Sequence, residues 1–145
     1  MRQLAIFCAI CALAFSSSEA SGLARRHVEW WGKITGQNGS QIDGTVSMLA
    51  SSDETKTEVN VQLKGARSGT VLRWRVRAGT CEKPGRIFGN AAWYTPLVAN
   101  AGGLAKGLAY IPLPVPDAGD FFITIHEPAA KMSRMVACAN MGLED

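Results

Sequence analysis

Histidine is nearly absent from this 145-residue chain: His27 and His126 are the only two. A metal centre built from three or four imidazoles cannot be assembled from them. Cysteine is scarce too, with Cys8 and Cys11 near the N-terminus and only Cys81 and Cys138 beyond. No apolar run reaches the roughly twenty residues that a membrane helix needs; the longest, Leu4 to Phe15, has twelve. No long stretch repeats apolar residues at helical spacing, which argues against a helical bundle. There is also no dense Lys/Arg block, so a formal charge of +3 makes no case for a nucleic-acid partner.

What is present begins with an export-type leader. Arg2 supplies a basic start, Leu4–Phe15 an apolar centre, and Ser18-Glu19-Ala20 small residues at the two positions a signal peptidase reads. Residues 1–20 are therefore expected to be removed, taking Cys8 and Cys11 with them. Residues 21–145 then form one domain, secreted or periplasmic, with no membrane attachment. Losing Arg2 and Glu19 leaves the charge at +3, and the remaining length is enough for a core. In an oxidising compartment Cys81–Cys138 is the only internal disulfide available. In the chain-entropy model a loop of that length is stabilised by about 4 kcal/mol. Two free thiols acting as copper or zinc ligands are the rival reading.

Alternation with a period of two dominates the rest. Thr57-Glu58-Val59-Asn60-Val61-Gln62-Leu63 is the clearest case, with Val59, Val61 and Leu63 on one face. Strands are expected at Val28–Thr35 and Gln41–Ala50, joined through Asn38-Gly39, since both of these residues tolerate positive φ. Further strands are expected at Val71–Arg77, Leu104–Ile111, Phe121–His126 and Met135–Met141. Turn signals at Arg67-Ser68-Gly69, Ala101-Gly102-Gly103 and Asp117–Asp120 separate them, at a spacing typical of an antiparallel sandwich or barrel. Glu82–Asn100, rich in Gly, Pro and aromatics, reads as a long ordered loop. Pro112-Leu113-Pro114-Val115-Pro116 reads as an edge or a connection. Asn38-Gly39-Ser40 also matches the N-glycosylation pattern, although the turn alone explains those residues.

The chemistry-bearing stretch is Leu72-Arg73-Trp74-Arg75-Val76-Arg77. On a strand it turns Leu72, Trp74 and Val76 to one side and Arg73, Arg75 and Arg77 to the other. Like charges two residues apart repel, so the row calls for a counter-charge. A solvated strand face neutralised by Glu82, Glu127, Asp120 or water is one reading; an external carboxylate, phosphate, polysaccharide or acidic protein patch is the sharper alternative. Arginine suits planar bidentate recognition of such groups. His126 reads as an outward-facing strand residue, and of the adjacent Trp30 and Trp31 one must face outward. Phe88, Trp93 and Tyr94 are expected to pack the long loop onto the barrel.

Several motifs in order give the chain a resemblance to the copper/zinc superoxide dismutase superfamily, in an exported bacterial-type branch, across most of residues 42–141. Gln62-Leu63-Lys64-Gly65 with Ser68-Gly69 is similar to the strand and turn before that family's metal strand. Arg73-Trp74-Arg75-Val76-Arg77 stands in place of Gly-aromatic-His-Val-His, followed by Gly79-Thr80-Cys81. Ala92-Trp93-Tyr94-Thr95-Pro96-Leu97 resembles Pro-His-aromatic-Asn-Pro-Leu, Ile123-Thr124-Ile125-His126-Glu127 resembles Val-Val-His-Glu, and Val136-Ala137-Cys138 the terminal Leu-Ala-Cys. The resemblance implies an all-β, antiparallel Greek-key β-barrel or sandwich with a disulfide between the long loop and the last strand. Family members are often dimers, so it also implies a possible homodimer.

The same alignment implies degenerate metal-ligand positions at Arg75, Arg77, Trp93 and His126, of which only His126 keeps an imidazole. Met135 falls where the family has an anion-guiding arginine, with Arg134 adjacent. Arginine stays protonated and offers no lone pair. A guanidinium about 4 Å from a metal opposes it by about 4 kcal/mol per unit charge at an effective dielectric near 20. The expectation is a non-catalytic exported module with no cofactor, using Arg73, Arg75, Arg77 and His126 toward an anionic ligand or protein. The alternative is a metal-binding protein or dismutase-type enzyme that combines His126 with ligands foreign to the family.

Overall fold

The computed structural model describes residues 27–128 and 133–144. The leader expected at residues 1–20 lies outside the described residues. Alternation becomes strands wherever it was expected: β1 (Glu29–Gly36), β2 (Asp43–Ala50), β3 (Thr57–Lys64), β4 (Val71–Gly79), β7 (Ala105–Ile111), β8 (Phe121–Pro128) and β9 (Ser133–Glu144). Two short strands complete the set among the described residues, β5 (Pro84–Ile87) and β6 (Leu97–Val98). All pairings are antiparallel. The hydrogen-bonded path runs β5-β4-β8-β9-β1-β2-β3-β7, with β6 paired to β4 off this path.

The sheet curls into a half-barrel because each strand has one apolar face to bury. Val59, Val61 and Leu63 of β3 and Leu72, Trp74 and Val76 of β4 all point into one core with Ile34, Met48, Ile111, Ile123 and Ile125. The curl brings β6 over β7, where the Leu97 side chain occupies the space above Gly107. The β1–β2 connection turns at Asn38 and Gly39 with φ of 55° and 79°, as the Asn-Gly pair requires. The jumps from β3 to β4 and from β7 to β8 give the path its Greek-key character. The proline-rich Pro112–Pro116 segment is a connection, not a strand.

Glu82–Asn100 differs from the single loop expected of it. It holds β5, a 3₁₀ turn at Ala91–Trp93 capped by the Asn90 side chain, and β6. Its aromatic residues divide their roles. Tyr94 is buried against Trp74, ring centroids 5.1 Å apart and edge to face, and half-buried Phe88 meets Phe121 at 5.6 Å. Trp93 instead keeps 37% of its surface exposed. Its ring is seated over Gly89, where a Cβ would come within 2.6 Å of it. Of the two adjacent tryptophans, Trp31 faces outward. Trp30 is the buried one, and it reaches the proline segment by donating from its indole Nε1 to the Pro116 carbonyl at 2.8 Å.

Candidate anion-binding face

Side chains at alternate positions of β4 leave the core and form the arginine row. Directly across on β8, Arg73 faces His126, Arg75 faces Thr124 and Arg77 faces Phe122. The next strand, β9, continues the same face with Cys138 beside Thr124 and Asn140 beside Phe122. Four of the residues expected to share a site, Arg73, Arg75, Arg77 and His126, are thus brought onto one surface. Trp93 is not among them: its ring lies over Gly89, close to Ile111 of β7.

One end of the face is tied down. The chain leaves β4 through Gly79, at φ 98°, and folds back so that Cys81 joins Cys138 in a disulfide. The Cys81 amide donates to Asn140 Oδ1 at 2.8 Å. Phe122 is fully buried but stands apart from the inner core, between Arg77 and Asn140 at this tied end.

The arginines differ in freedom. Arg77 donates from Nε to the Gly85 carbonyl at 2.9 Å, which anchors its guanidinium while sparing the terminal nitrogens. Arg75 is half-buried and Arg73 exposed. Among the described residues, no carboxylate pairs with any of the three. Glu127 is engaged by Arg67 at 3.0 Å. The Glu82 carboxyl is held below its usual range by its own backbone amide, then by Thr80 and, more weakly, Asn140. The Asp120 backbone carbonyl accepts from the Gly79 amide of β4 at 2.9 Å. None of the three carboxylates anticipated from the sequence forms an ion pair with the row among the described residues.

Two polar atoms on this face have no partner. The Thr124 hydroxyl and His126 Nδ1 are both shielded from solvent and unbonded, and Thr124 as a whole is only 4% exposed. An unmet buried polar group costs about 1–3 kcal/mol, so native proteins keep few of them without a reason. The imidazole pKa is lowered by partial burial first, then by the Arg75 and Arg77 charges, so His126 is neutral at pH 7.

Thr124, Phe122 and Asn140 escaped the sequence reading as members of this face. The spacing Phe122-x-Thr124-x-His126 placed the first two there and Cys138-x-Asn140 the third, but that period marks a face without saying which of its residues are covered. The copper and zinc implied by the family resemblance do not fit this donor set, because the neighbours of His126 are guanidinium groups without lone pairs. Among the described residues, no three His, Cys, Asp or Glu side chains are grouped to hold a metal ion. The chain matches no protein-family model and no curated protein.

Proposed function

We propose that the chain is an exported, non-catalytic relative of the copper/zinc superoxide dismutases, acting as a binding module whose Arg73, Arg75 and Arg77 face takes an anionic ligand or protein. The observation that carries this reading is the arginine row itself, set on β4 between β5 and β8 without a paired carboxylate among the described residues. An uncompensated row of one sign costs self-repulsion, and an external anion relieves it. The Cys81–Cys138 disulfide and the leader-like N-terminus support export.

The test is retention on a sulfated polyanionic matrix. The mature chain should bind at low salt and elute as salt rises. An Arg75→Ala/Arg77→Ala variant, folded by circular dichroism, should pass through; retention unchanged in that variant would refute the reading. Metal content after exposure to copper and zinc followed by dialysis, with superoxide turnover measured in parallel, addresses the rival. Near-stoichiometric metal with turnover would favour an enzyme built around His126.

A further inference from the structure

We infer that this face contains, at Arg75, Arg77 and Thr124, a discrete subsite for one tetrahedral dianion, a sulfate or phosphate group. The inference rests on the anion-binding reading above and narrows it from a charged surface to a built site.

Three donors converge on neighbouring positions. Arg75 and Thr124 are direct cross-strand partners, and Arg77 is the next residue along β4 on the same face. The bond from Arg77 Nε to Gly85 holds that guanidinium in place with its terminal nitrogens uncommitted. The Thr124 hydroxyl, on a side chain more than nine-tenths buried, has no acceptor within the protein. It lies in the floor of the sheet between Arg75 on one side and Cys138 of the disulfide on the other.

Charge and shape select the ligand class. Two guanidinium groups without a paired carboxylate require two negative charges for neutrality, and a monocarboxylate brings one. A carboxylate also presents only two oxygens in one plane, whereas sulfate or phosphate directs oxygens toward separate donors. One oxygen can accept from Thr124 while the others meet the two arginines. The hydroxyl is shielded in the free protein, so binding requires a neighbouring side chain to move; of its two register neighbours Cys138 is fixed in the disulfide, whereas no hydrogen bond or ion pair among the described residues holds Arg75. Arg73, opposite His126, flanks Arg75 on the other side; it is exposed and lacks the backbone anchor that holds Arg77, so it stays outside the subsite.

The experiment titrates the mature, disulfide-bonded chain with sodium sulfate and inorganic phosphate, and separately with sodium acetate and sodium chloride at matched ionic strength. Calorimetry and side-chain NMR follow binding. The expected result is saturable 1:1 binding of both tetrahedral ions, at least tenfold tighter than acetate, with shifts at Thr124 and Arg75. The His126 titration midpoint should rise in saturating sulfate as the arginine charges are offset. Thr124→Val should weaken sulfate binding roughly tenfold, equivalent to about 1.4 kcal/mol, and Thr124→Ser should restore it. An adventitious, unsaturable response, equal affinity for acetate, or wild-type affinity in a folded Thr124→Val would overturn the subsite. If Thr124→Val does not fold, the wild-type acetate comparison and the His126 midpoint decide. Retention on the polyanionic matrix without inorganic-ion binding removes the subsite and leaves the anion-binding face; loss of both removes both.

Discussion

The Tyr94 hydroxyl donates to the Phe88 carbonyl at 2.6 Å while the Tyr94 ring stands edge-on to Trp74. This pair folds the long segment after β5 down onto the core. Burial raises the phenol pKa far above its ordinary value, so the group is a permanent donor at any pH where the protein is studied. Replacing Tyr94 with Phe keeps the ring contact and leaves the Phe88 carbonyl without that donor. The expected cost is about 1–2 kcal/mol, read from urea unfolding followed by tryptophan fluorescence. A variant as stable as the parent would show that the bond contributes nothing net.

The disulfide should matter more. It closes a separation of 57 residues, and chain entropy alone assigns it about 4 kcal/mol. A Cys81→Ser/Cys138→Ser variant is expected to lose most of that, and the parent in reductant to approach the variant. Guanidinium unfolding of all three states checks this. The change should also weaken anion retention, because the tied segment borders Phe122 and Asn140 at the end of the arginine row.

How much of this was legible in the residues follows from what period-two patterns encode. Val59-x-Val61-x-Leu63 and Leu72-x-Trp74-x-Val76 state which face is inward, so β3, β4 and the arginine row could be read directly. The pattern is silent on what covers the other face. Phe122 and Thr124 are buried on the side that carries the charges, and no local signal marks them. Pro84-Gly85-Arg86-Ile87 has no strand signature either. It becomes β5 because the irregular pairing between Arg77 and Gly79 lets the returning chain pair with β4, a tertiary effect. The choice between Trp30 and Trp31, by contrast, is local: Trp30 shares the inward face of Ile34 and Trp31 the outward face of Lys33; what the pattern does not show is that Trp30 donates to the Pro116 carbonyl, 86 residues away.

Gly44 of β2 offers a test of how tightly the sheet is wound. A Cβ there would stand 1.9 Å from the Gln62 carbonyl oxygen of β3, and backbone offers no flexible end to move aside. Gly44→Ala is expected to destabilise by about 2 kcal/mol or more and to lower the thermal midpoint. Gly39→Ala at the exposed turn meets no atom and should cost only the strain of its positive φ.

The final expectation concerns pH. The folded-state pKa of His126 is lowered, by burial first and then by Arg75 and Arg77, whereas the unfolded chain keeps the ordinary value near 6.5. Above that value both states are neutral and the group contributes nothing to pH dependence. As pH falls below it the unfolded chain takes the proton first, so stability declines; the decline ends once pH passes below the folded pKa. Unfolding midpoints from pH 8 to pH 5 should therefore fall more steeply for the parent than for His126→Gln, in which the shared carboxylate titrations cancel. Arg75→Ala/Arg77→Ala should shrink the difference by removing the two charges, leaving only the burial contribution. Saturating sulfate should shrink it in the same direction, since an anion between those guanidinium groups offsets the arginine field that adds to burial in lowering the imidazole pKa. Parallel curves for parent and His126→Gln would mean that neither burial nor the arginine charges shift His126; a difference unchanged in Arg75→Ala/Arg77→Ala would mean that the arginine charges do not act on it, and the electrostatic account of this face would fall.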